Sequence, residues 1–86
     1  MNSAIKHIKG FPLSLADNGE MVKVVSLWKG RGFRARLISL GIDIGDVIEV
    51  LQCRQHGTVL VAKGGARYAI GCGMAQKIEV IPIPRG

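Results

Sequence analysis

Apolar and polar residues alternate along most of this chain, and one helical stretch interrupts the alternation. Between Glu20 and Trp28, Val22, Val24 and Ser26 fall on one face and Met21, Val25 and Leu27 on the other. That density of β-branched side chains predicts a long strand covered on much of both faces. Upstream, Pro12 restrains Phe11 to an extended conformation, and Leu13 and Leu15 are expected to pin a lead-in onto the core before the Asn18-Gly19 turn. After the strand, Lys29-Gly30-Arg31-Gly32 supplies a turn, with Phe33 anchoring the loop. From Arg34 to Leu40 the period changes: Leu37, Ile38 and Leu40 sit at helical spacing, which predicts two turns of helix seated on a sheet through those three residues. Gly41 stands where a left-handed residue would close the helix, and Gly45 opens the next alternating run.

That run, Asp46 to Gln52, sets Val47, Glu49 and Leu51 against Ile48, Val50 and Gln52. Arg54 to Gly57 turns, Thr58 to Lys63 forms a strand, Gly64-Gly65 supplies a tight hairpin, and Ala66 to Ile70 returns. Gly71-Cys72-Gly73 breaks the pattern, Met74 to Gln76 allows one helical turn, and Lys77 to Ile81 alternates once more. Pro82 and Pro84 are expected to stop further pairing. About five short strands, with one short helix between the first and second long ones, predict a mainly β fold. The best match is a small SH3-like, partly open β-barrel, because near-closure hides edges that so small a sheet cannot otherwise cover. An OB-like barrel usually carries its helix between later strands. Residues 1–10 read as a flexible arm and 11–84 as a single domain.

Composition narrows this picture. With 86 residues, the chain has room for one core. Its mean hydropathy of +0.27 argues against a disordered tail, while no apolar run approaches the roughly 20 residues that cross a bilayer. The N-terminal stretch lacks the apolar core of a secretion signal, which places the protein in the cytoplasm without membrane insertion.

Charge adds a candidate surface. The formal net charge is +6, and Lys23, Lys29, Arg31, Arg34 and Arg36 form a stretch with no acidic residue, whereas Asp43, Asp46 and Glu49 follow just after it. The asymmetry predicts a basic face built by the Trp28 to Arg36 loop and the outer side of the helix; Lys29, Arg31, Phe33, Arg34 and Arg36 are its candidate contact residues. A basic face also raises a nucleic-acid-binding barrel, but Phe11, Trp28, Phe33 and Tyr68 are sparse for stacking on bases.

Candidate chemistry changes little. His7 and His56 have no visible acid or nucleophile partner, and Gly30-x-Gly32 lacks the spacing of a phosphate loop, so no enzyme is expected. Asp43, Asp46 and Glu49 fall short of the ligand density of a calcium loop. Cys53 and Cys72 match no metal-binding pair and read as small residues at strand ends. A direct metal binder would gather Cys53, His56 and Cys72 around iron or zinc, although no cofactor is required by the fold.

One set of residues carries a family resemblance. Pro12-Leu13-Ser14-Leu15, Gly32 before Arg34-x-Arg36-Leu37-x-x-Leu40-Gly41-x-x-x-Gly45, Val47-x-x-Val50, Gly64-Gly65 and Ala75-x-x-Ile78-x-Val80 together resemble ferrous-iron transport protein A, FeoA. The resemblance implies a small bacterial SH3-like protein that regulates, without catalysis, the membrane iron transporter FeoB by binding its cytoplasmic part. It also implies kinship with an SH3-like domain found at the end of metal-dependent repressors. Self-association through an exposed sheet edge is a further expectation for so small a barrel.

Overall fold

A computed structural model describes residues 10–28, 30–54 and 57–84. Its elements follow the alternation closely: β1 (Phe11–Pro12), a single 3-10 turn (Leu13–Leu15), β2 (Met21–Leu27), α1 (Phe33–Leu40), β3 (Val47–Cys53), β4 (Thr58–Lys63), β5 (Ala66–Gly71), α2 (Cys72–Ala75) and β6 (Ile78–Pro82). All strand pairs are antiparallel, in the order β1-β6-β2-β3-β4-β5, so the sheet curls without closing.

Inward-facing residues form one core. Val22 and Val24 of β2, Ile48 and Val50 of β3, Val59 and Val61 of β4, Ile70 of β5 and Ile78 and Val80 of β6 are all buried. Leu13, Leu37, Ile42 and Ala75 plug its ends. Each of these larger side chains, taken fully out of water, contributes about 1.5–3 kcal/mol of transfer free energy.

Two bulges explain where simple alternation fails. Pairing slips between Val24 and Ser26, and again between Val50 and Gln52. An extra residue reverses the facing of everything beyond it. Leu27 therefore packs on the core instead of opposing Val22, and Cys53, paired with buried Val59, turns inward where Gln52 was expected.

Other expectations need correction. Leu15 is 69% exposed: the 3-10 turn rotates it away once Leu13 is inserted. In α1 only Leu37 is buried, and Ile38 and Leu40 are exposed, because a short helix resting on a sheet has one inward position at its point of contact. Phe33 packs against the core as expected, but as the first residue of α1, which begins one residue earlier than Arg34. Pro82 does not stop the sheet; it pairs with Val22, and the Ile83 N–H donates to the Met21 carbonyl at 2.8 Å. Its missing N–H costs nothing, since Pro82 sits beyond the two β6 residues that pair with β1, where that side of the strand has no neighbour.

Segment 34–50 is the joint expected of it. The Gly41 N–H donates to the Ile38 carbonyl (2.8 Å) and the Ile42 N–H to the Leu37 carbonyl (3.1 Å), with Gly41 at φ 101°. That is a Schellman ending, and its accompanying apolar contact joins buried Ile42 to buried Leu37. Gly41 also faces the Tyr68 ring of β5, which leaves no room for a side chain.

Candidate functional site

The basic face lies where two connections meet at one end of the barrel. The Trp28 N–H donates to the Lys77 carbonyl at 2.9 Å, which joins the β2–α1 connection to the α2–β6 connection. Phe33 starts α1 partly buried against the core, and the Lys77 ammonium stands over its ring, 6.0 Å from the centroid. Lys77 thereby joins the face from 44 residues away along the chain, beyond the reach of any local pattern.

The expected contact residues divide into two kinds. Arg31 and Arg36 are exposed and make no ion pair with any described residue. Arg34 is exposed but committed: its Nε donates to Asp43 Oδ1 at 2.9 Å and its Nη2 to Oδ2 at 3.2 Å. This two-pronged contact raises the Arg34 guanidinium above its ordinary value and holds the Asp43 carboxyl below the usual carboxylate range. The Ile44 N–H, donating to Asp43 Oδ1 at 2.7 Å, pushes in the same direction. Arg34 is thus a strut between helix and corner whose side chain remains 60% exposed. Lys29 lies outside the described residues.

A second ion pair stiffens the same corner from behind. The Lys63 ammonium, at the end of β4, donates to Asp46 Oδ2 at 2.8 Å and to the Gly41 carbonyl. Asp46 Oδ2 also accepts from the Asp43 N–H at 2.7 Å. These two contacts, the lysine first, lower the Asp46 carboxyl. The acidic residues after the helix therefore organise the turn.

Cys53 ends β3 and Cys72 follows the end of β5 as the first residue of α2. The Cys53 Sγ–H donates to the Ser14 carbonyl at 3.2 Å, and its N–H donates to Asn18 Oδ1 at 2.7 Å, tying the lead-in to the end of β3. Burial chiefly, then the neighbouring Cys72 and Asp17, push the Cys53 thiol above its ordinary value, which disfavours the thiolate a metal would require. Cys72 Sγ accepts from Gln76 Nε2 at 3.4 Å. Among the described residues no three His, Cys, Asp or Glu side chains gather where a metal ion could be held, and His56 lies outside them.

A curled, nearly closed antiparallel sheet with one helix at a corner defines a small SH3-like barrel protein. The FeoA domain model matches residues 11–82, and the chain belongs to that family. A Methanocaldococcus jannaschii protein assigned as an Fe(2+) transport protein A is 41% identical over 70 residues, covering 81% of this chain and 84% of its own. The crystal structure of an iron uptake regulatory protein, FeoA, superposes with a TM-score of 0.80 at 34% identity, covering 86% of this chain and 99% of that one. A manganese-dependent transcriptional repressor bound to manganese gives a TM-score of 0.79 at 25% identity; the match covers 86% of this chain but 37% of the repressor.

Proposed function

We propose that this protein is a cytoplasmic, non-enzymatic regulator of ferrous-iron uptake that binds the cytoplasmic part of an FeoB-type transporter through the basic face around α1. Membership of the FeoA family supports the pathway. The observation that carries the surface is the pair of uncommitted guanidinium groups, Arg31 and Arg36, beside the Lys77-capped ring of Phe33. Arg34, held by Asp43, keeps the helix in register and leaves its neighbours to face the partner.

Complementary charge chiefly accelerates encounter and suppresses wrong partners, so the face should select an acidic surface on the transporter. Binding of the purified protein to the cytoplasmic domain of the cognate transporter tests this. The Arg31→Glu/Arg36→Glu double variant should associate at least about tenfold more slowly at low salt, with the difference shrinking as salt is added. Unchanged association by the double variant would move the interface elsewhere; no binding by the wild-type protein would remove the transporter as its partner.

A further inference from the structure

A groove of 270 Å³ opens at the other side of Trp28, between that residue, the β1 edge and the start of β6. Its walls are Trp28, Phe11, Pro12, Gln76, Ile78 and Glu79. We propose that it docks an arginine side chain from a partner protein, with the guanidinium laid on the Trp28 indole and paired with the Glu79 carboxylate. The inference is independent of which partner the basic face engages.

Four features converge on it. Trp28 is 66% exposed, an unusual setting for the largest apolar side chain unless its face is used. The Glu79 carboxylate makes no hydrogen bond or ion pair to any described residue, on a molecule with 12 lysines and arginines against 6 acidic residues. The nearest lysine in sequence, Lys77, has its ammonium over Phe33 instead of in the groove. Finally, the Glu79 side chain lies directly against Gly10, where even a methyl group would collide with its Cγ and carboxylate. Glycine at that position leaves the carboxylate room at the groove wall.

Chemistry selects the occupant. An ammonium can meet a carboxylate or a ring, but a guanidinium is flat, stacks on indole, and presents two N–H groups to a carboxylate at once. The protein's positive charge does not forbid this, since it is spread over a body 39 Å long and screened beyond about 8 Å at physiological salt. Contact inside the groove is governed by Glu79 and Trp28.

Trp28 is the only tryptophan, so its fluorescence and its indole N–H resonance report binding beside it, and Glu79→Gln assigns that binding to the groove. The full chain is titrated with N-acetyl-arginine amide, with the equally shaped but uncharged N-acetyl-citrulline amide, and with N-acetyl-lysine amide. The arginine probe should give a saturable shift, and its affinity should fall about tenfold or more for the citrulline probe and for Glu79→Gln. A Glu79→Gln protein with an unchanged melting temperature establishes that the loss is local. Absence of a saturable shift, an equal response from citrulline, or an equal response from Glu79→Gln would overturn the proposal. Equal binding of the lysine probe would overturn the arginine assignment, and a dimer in sedimentation that Glu79→Gln dissolves would overturn the partner in favour of a second copy. All of these readings leave the transporter test untouched, because it varies Arg31 and Arg36.

Discussion

Leu37 and Ile38 are adjacent in α1 and similar in size, yet one is buried and the other 47% exposed. Removing the Leu37 side chain leaves a cavity beneath the helix, whereas truncating Ile38 removes only surface. In denaturant titration Leu37→Ala should cost about 2–5 kcal/mol and Ile38→Ala less than about 1 kcal/mol. Gly41 makes a comparable demand through the backbone. At φ 101° and pressed against Tyr68, it has neither the conformational tolerance nor the space for a β-branched side chain. Gly41→Val should destabilise by roughly 1–2 kcal/mol or more in the same titration, and equal stability would reject the assigned turn. Glycine at this point is readable in sequence because helix periodicity ends there; the Tyr68 contact, 27 residues downstream, is not.

At the scale of elements, the strands and the helix are legible because their periods differ, and the hairpin because Gly64 and Gly65 both take positive φ, as the tight turn demands. The bulges are not. A bulge inserts one residue without a composition signal, and only burial of the residues beyond it shows that the facing has reversed. Cys53 is the clearest case: its inward turn, which decides its chemistry, depends on the slip after Val50. Ion pairs across the helix corner were equally unreadable, since Asp43 and Asp46 look in sequence like solvated turn residues. Their carboxyl groups are depressed in the folded protein by Arg34 and Lys63. A group with a folded pKa below its unfolded value near 4 contributes stability that is fully present above that value. The contribution is lost as pH falls through the lower, folded pKa. Thermal melts should therefore decline below about pH 4, and Asp46→Asn should flatten that decline while lowering stability at neutral pH. A profile indifferent to Asp46 would remove the Lys63 pair from the stability of the corner.

Over the whole molecule, the SH3-like architecture and the FeoA resemblance were both accessible from residue pattern, since each strand carries its own alternation and the helix–glycine–turn–glycine segment is distinctive. The surface was only half accessible. Sequence shows that Arg31, Arg34 and Arg36 lie together, but not that Arg34 is held by Asp43 while Lys77 arrives from beyond α2 to join them. Nor could it show that Trp28 would stand between two unlike surfaces, a cationic one on the α1 side and an acidic groove on the β1 side. Such a residue can report on both, and binding on one side can be read from the other by its emission.

The Lys63 ammonium has one more consequence. It links the carbonyl at the end of α1 to the corner that opens β3, from a position next to the β4–β5 hairpin turn. Opening the helix end therefore exposes the lysine's partners, and opening the hairpin withdraws the lysine itself. The contact couples the two regions, so Lys63→Met should speed hydrogen exchange of the backbone amides at the helix end, and an unchanged rate there would remove the coupling.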